Sequence, residues 1–250
     1  MSLIQLSDPS QRLWLSGLLL LWAAFLFGGF AFGAAHAGTA RRMPTWTRMA
    51  SSLTLVIAGW SWYLFTRETQ VNLFSLLIAI GMTLGCLGDF LLAKLIPFPE
   101  PTLGGIAAFG LGHIAYISAI LSFANQQAFT APAPLWGAWF VWLLIGLIGW
   151  YVIVLRGNKL TVLRIAALPY ALLLASTAGF ATGLALQSPP FIPLAIGGAL
   201  FLTSDLILAA ELFNNLKFPL IGDVVWLTYG PAQMLIVYAV NDALQALGVK

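Results

Sequence analysis

Charge is what this sequence has least of. Charged residues make up 8% of the 250 positions, against about 25% in soluble domains. Hydrophobic residues make up 60%, and mean hydropathy is +0.94. Those values exclude a sizeable soluble domain and point to an integral membrane protein. Cysteine is nearly absent as well. The single Cys86 cannot form an internal disulfide. No Gly-rich loop leads into a helix with a Lys-Ser/Thr pair, no His/Cys cluster has zinc spacing, and no nucleophile elbow is present. No cofactor and no metal are therefore expected. The net charge of +3 comes from basic residues in short loops. It does not indicate a nucleic-acid partner.

What is present is a series of apolar runs. They fall at about 13–35, 46–65, 71–92, 103–123, 135–155, 163–186, 191–213 and 224–247. Each is close to the roughly 20 residues a helix needs to cross a bilayer, and no ten-residue alternating pattern suggests a barrel. The expected fold is all-α: one membrane domain over 1–250, a bundle of eight transmembrane helices. Ala35-His36-Ala37 mimics a signal-peptidase site, but the run before it is too long for a signal peptide and Arg41, Arg42 and Arg48 follow. A retained first helix is expected, with His36 at the membrane edge. Pro97, Pro99 and Pro101 read as a stiff loop, Pro169 as a kink, Pro189-Pro190 as a tight turn and Gly230-Pro231 as a break in the last span. Counting charges by loop places Arg41, Arg42, Arg48, Lys94, Arg156, Lys159, Arg164 and Lys217 on one side, and Arg12, Arg67 and Lys250 on the other. The positive-inside rule then puts both termini outside, in a bacterial-type inner or plasma membrane.

Two carboxylates break the apolar pattern in matching contexts: Gly88-Asp89-Phe90-Leu91-Leu92-Ala93 and Ser204-Asp205-Leu206-Ile207-Leu208-Ala209. A charge in hydrocarbon is expensive, so such residues usually face a bundle interior or a wet cavity and mark function. Both fall in the cytoplasmic half. Paired in a low-dielectric pocket, one can hold a proton while the other stays ionised, which suits acid–base work. His113, flanked by Gly110 and Gly112, is the candidate third member, as a proton shuttle or a partner to one Asp. Tyr116, Ser204, Tyr229, Gln233 and Asn72 are candidates to line the same cavity. Asp223 suits a helix start, whereas Asp242 and Glu211 read as interfacial. Trp60, Trp62, Trp136, Trp139, Trp142 and Trp150 read as interfacial belts and packing. The pattern Phe109-Gly110-x-Gly112-His113 returns as Tyr229-Gly230-x-Ala232-Gln233. Each follows an Asp run, which raises two parallel four-helix repeats.

Gly88-Asp89, His113-x-x-Tyr116, Phe201-x-x-Ser204-Asp205 and Tyr229-x-x-x-Gln233 together resemble the YhhN-like lysoplasmalogenase family, from about the second span to the eighth. The resemblance implies an eight-helix protein that hydrolyses the vinyl ether bond of lysoplasmalogens. The products would be a fatty aldehyde and glycerophosphoethanolamine or glycerophosphocholine. Asp89 and Asp205 would be the acid/base pair, with His113 orienting one of them or the water. The partners would be a lysophospholipid substrate and membrane lipids. Pro231 and the first span make the likeness less close there.

Other classes stay open at this level. An intramembrane aspartyl protease also pairs two aspartates, but Cys86 stands where its Gly-x-Gly-Asp motif needs glycine. A proton-coupled small-molecule transporter suits half-chain repeats and a broken last helix. A lipid-binding protein could keep such a pocket without catalysis.

Overall fold

A computed structural model describes residues 4–34, 40–157 and 159–248. His36, with the Ala35-His36-Ala37 triplet, and Lys250 lie outside these. The described residues form eight helices: α1 (Pro9–Phe32), α2 (Thr45–Thr66), α3 (Asn72–Leu92), α4 (Pro101–Gln126), α5 (Pro132–Leu155), α6 (Val162–Ala185), α7 (Pro189–Asn214) and α8 (Ile221–Ala246). Six of them, all but α2 and α8, are long and apolar enough to cross a membrane. The reason lies in what α2 and α8 bury. α2 hides Thr47, Arg48, Ser51, Ser52, Thr54 and Ser61, and α8 hides Asp223, Gln233 and Asp242. Polar side chains that find partners inside a bundle lower a helix's apolarity without exposing polarity to lipid.

Prolines open four of the helices rather than preceding them. Pro9, Pro101, Pro132 and Pro189 each sit in the first turn, where an amide hydrogen would have no intrahelical partner. Pro101 is thus part of α4 and not of the loop, and Pro189-Pro190 form the 3₁₀ turn that starts α7. At α1 the Asp8 side chain caps the helix by accepting the Ser10 amide at 2.8 Å. The Ser10 hydroxyl, with that amide, holds the Asp8 carboxyl below its ordinary range. Pro169 and Pro231 lie inside α6 and α8 without ending either helix. The expected break at Gly230-Pro231 is therefore absent. Gly230 serves packing instead: a Cβ there would come within 2.7 Å of the Leu26 side chain of α1.

Short loops make sequence neighbours antiparallel. α2 packs on α3, α3 on α4, α4 on α6, α6 on α7, α7 on α8, and α8 returns to α2 and α3, closing a ring of six. α1 lies outside against α2, and α5 lies outside against α6. Each outer helix contains a π-helical segment, Ala24–Gly28 in α1 and Trp150–Leu155 in α5. α5 is held by close backbone approach and by indole donors. A Cβ on Gly179 would lie 2.6 Å from the Trp139 Cα, and one on Gly183 2.8 Å from the Leu135 Cα. The Trp139 and Trp142 indoles donate to Ser176 and Thr182, each at 3.0 Å. These tryptophans tie helices together, and Trp62 is wholly buried, so all three have the packing role. Gly179→Ala should lower stability by about 1–3 kcal/mol, the range for overpacking. Thermal unfolding in detergent reads the shift, and an unchanged transition would show that α5 can simply move away.

Candidate active site

The C-terminal ends of α3, α5 and α7 and the N-terminal ends of α2, α4, α6 and α8 meet on one side of the bundle. They enclose a cavity of about 250 Å³. Asp89 and Asp205 both line it, close enough for their charges to interact. Asp89 is buried and Asp205 half-buried. Gly88 makes room beside Asp89, because a Cβ there would meet the Phe109 ring of α4 at 2.6 Å. The Gly-Asp pair is thus a packing solution: α4 presses an aromatic ring against α3 at the turn that carries the carboxylate.

Each carboxylate receives a hydroxyl from the preceding helix. Ser52 of α2 donates to Asp89 at 2.5 Å, and the Tyr229 hydroxyl of α8 is a second partner of Asp89. Tyr170 of α6 donates to Asp205. Tyr229 in turn accepts from the Gln233 amide. The two hydroxyl donors stand at similar separations from their carboxylates, 37 residues for Ser52 and 35 for Tyr170. Neither was singled out from sequence. That near-equal spacing, one helix upstream of each Asp run, is the signal that could have found them.

The remaining candidates divide. Tyr229 and Ser204 line the cavity, although the Ser204 hydroxyl is committed to the Val225 carbonyl at 3.1 Å. Gln233 lies behind the wall and steadies Tyr229. His113 is buried behind the wall too. Its Nδ1 pairs with Thr177 Oγ1 at 2.9 Å, and its ring is wedged 4.5 Å from Phe201 and 6.1 Å from Tyr170. It has no hydrogen bond to either Asp, so it touches the pair only through the Tyr170 ring. Tyr116 packs 5.7 Å from His113, with its hydroxyl unpartnered. Asn72 does not belong to the cavity. It opens α3 at the far end from Asp89 and bonds to the Arg67 carbonyl at 3.2 Å. Its position at the start of a run made it look like an intramembrane amide, but that end of α3 is exposed.

Two further residues at the cavity depart from the sequence reading. Arg48, counted there as a loop charge, lies in the first turn of α2, buried and lining the cavity together with Arg41. Asp223, in the first turn of α8, is wholly buried. It accepts the backbone amides of Arg42 at 2.5 Å and Met43 at 3.0 Å. Beside it the Gly222 amide donates to the Ala40 carbonyl at 2.9 Å. These bonds clamp the segment before α2 over the cavity mouth. Asp242 is buried at the opposite end and not solvated. The N-terminal segment lies close by: Ile4 is buried, and the Gln5 amide bonds to the neighbouring Asn241 at 2.7 Å.

The cavity walls are of mixed character. Tyr170, Tyr229, Ser204 and the two arginines contribute polar groups, and Val154, Ala171, Leu174, Leu206 and Leu212 contribute apolar ones. Phe109, Phe201 and Trp226 pack edge-to-face around Tyr229, with ring centroids 5.1–6.0 Å apart.

Such a ring of helices around a shared carboxylate cavity defines a polytopic α-helical membrane protein with a buried polar site. The chain belongs to the YhhN family, whose model matches residues 43–240, from just before α2 into α8. Neither the curated proteins nor the solved structures contain a match to it.

Replacing Asp223 with Ala would leave two buried backbone amides without acceptors. Hydrogen bonds to a charged group contribute about 1.5–3 kcal/mol. The variant should unfold at lower temperature, and protease should cut near Arg41 and Arg42 faster than in the native protein. Unchanged cleavage would mean that the clamp does not hold the segment.

Proposed function

We propose that the protein hydrolyses the vinyl ether bond of lysoplasmalogens to a fatty aldehyde and a glycerophospho-alcohol. The observation that carries this reading is the cavity itself: two carboxylates from α3 and α7 line one space whose other lining is mostly apolar. YhhN family membership supports it.

The chemistry follows from the substrate. A vinyl ether is protonated on carbon, at the chain carbon beta to the oxygen. The carbon bonded to oxygen then becomes an oxocarbenium ion. Water adds to that carbon to give a hemiacetal, whose collapse expels the glycerol oxygen with a proton and leaves the aldehyde. One carboxylic acid delivers the first proton, and one carboxylate stabilises the cation and takes a proton from water, as in the paired carboxylates of glycosidases. Donors to a carboxylate favour its charged form. Asp89, with two hydroxyl partners and Arg48 nearby, is assigned as the ionised member, and Asp205, with Tyr170 alone, as the acid. The faces of Phe109, Tyr229 and Trp226 suit a transient cation. His113 is a positioning residue that fixes the Tyr170 ring.

In this reading all eight helices cross the membrane as two parallel four-helix repeats. The matched packing of α1 on α2 with α5 on α6 favours it, as does that of α8 on α2 with α4 on α6. Both termini face away from the cytoplasm, and the unbroken α8 weakens the transporter alternative.

Purified protein in detergent should release aldehyde from a lysoplasmalogen. Asp89→Asn and Asp205→Asn should each lose about 10²–10⁴-fold, the usual contribution of a positioned acid or base. Release by all three proteins would remove the pair from the mechanism, and release by none would remove the reaction. The orientation has its own check on a Cys86→Ala background. An impermeant thiol reagent added outside intact cells should label Arg67→Cys and spare Lys94→Cys. The reverse pattern would invert the topology.

A further inference from the structure

Arg48 is a buried cation that makes no ion pair, although the charges of Asp89 and Asp223 act on it at longer range. Among the described residues the one side-chain ion pair is Arg67 with Glu68, at 3.7 Å. Arg48 is 7% exposed. Its Nη2 donates to Thr45 Oγ1 at 2.9 Å, its guanidinium carbon lies 5.3 Å from the Trp226 ring centre, and its Nε is buried with no hydrogen-bond partner. The side chain lines the cavity. A guanidinium keeps its charge under any physiological condition, so its burial leaves a standing demand for an anion.

Arg41 lies at the same cavity. Its side chain crosses Gly222, where any Cβ would collide with it. The backbone on which it rides is fixed by the Gly222–Ala40 bond and by Asp223. The cavity is therefore lined by two arginines, two carboxylates and a set of apolar side chains. Neither carboxylate of the cavity makes an ion pair with an arginine, so the Arg48 Nε stays open to an anion.

We infer that Arg41 and Arg48 bind the phosphate of the substrate, and so select phosphorylated vinyl ether lipids over neutral ones. This rests on the hydrolase reading for its substrate but not for its geometry. The planar guanidinium fork fits two oxygens of a phosphate ester. The N-terminal end of α8 adds a favourable dipole at the same mouth. A lysolipid bound this way places its phosphate at the arginines and its chain against the apolar side chains of the wall. The vinyl ether, on the other side of the glycerol, then lies between them, beside Asp89 and Asp205.

The test has a kinetic arm and a binding arm, both on purified full-length protein. The kinetic arm compares kcat/KM for an alkenyl glycerophosphoethanolamine with that for the corresponding alkenylglycerol, in the native protein and in Arg48→Gln, Arg48→Lys and Arg41→Gln. The native protein should prefer the phosphorylated lipid by at least about tenfold. Arg48→Gln should cut that preference about tenfold through KM, and Arg48→Lys should keep part of it. A native protein without preference would overturn the inference while leaving the hydrolase intact. So would an Arg48→Gln variant that loses both substrates in parallel, because that marks a merely structural arginine. The binding arm uses the saturated ether analogue, which cannot be cleaved, together with inorganic phosphate and sn-glycero-3-phosphoethanolamine as competitors. Calorimetry should show binding that Arg48→Gln weakens about tenfold and that the glycerophospho-compound displaces. Displacement by inorganic phosphate alone would assign the arginines to free phosphate and overturn the lipid assignment. Analogue binding that is indifferent to Arg48 would overturn the inference even if no aldehyde were ever released. Aldehyde failure with Arg48-dependent binding would instead remove the reaction and keep the phosphate site.

Discussion

A carboxylate inside an apolar helix bundle must be hydrogen-bonded, and most of this architecture serves that requirement. Asp89 and Asp205 sit on strongly apolar helices. Water is scarce at that depth, so the partners come from neighbouring helices: Ser52 from α2, Tyr229 from α8, Tyr170 from α6. This is why α2 and α8 are the least apolar helices of the ring. It also explains the glycines of α3 and α4. Gly88 lets Phe109 close over Asp89, and Gly112 lets α4 approach the Gly81 carbonyl, which a Cβ would meet at 3.0 Å. The aromatic wall and the hydroxyl donors come as one assembly, since the helix that presents a donor must also come close enough to reach.

The mouth of the cavity is organised by a second carboxylate of a different kind. Asp223 is spent on backbone amides and holds a segment instead of facing the cavity. By fixing that segment it fixes Arg41, and with Arg48 it brings positive charge to the end of the cavity where the bundle opens. The result is one cavity that brings arginines, carboxylates and aliphatic side chains together.

Much of this was legible in the sequence. Eight apolar runs gave eight helices within a few residues at each end, and the early starts of α1, α4, α5 and α7 follow from prolines that open helices. The Asp pair was legible because a lone carboxylate in hydrocarbon stands out, and its repetition in a matching context doubles the signal. Arg48 was not, because an arginine near a span boundary looks the same whether it faces water or a cavity. Ser52 and Tyr170 were hidden for a related reason: a serine or tyrosine inside a span is ordinary, and only the neighbouring carboxylate gives it meaning. Asn72 was misassigned although the sequence already places it at the opposite end of the same span from Asp89. His113 was visible, but not its separation from the carboxylates by the rings of Tyr170 and Phe201.

The central claim is that Asp89 and Asp205 act as one unit across a shared cavity. A double-mutant cycle on aldehyde release tests it most directly, because groups that act together are strongly non-additive when removed. The account predicts that the protein carrying both Asp89→Asn and Asp205→Asn is no slower than the worse single variant. Losses that multiply would mean two independent contributions, and would contradict a paired site.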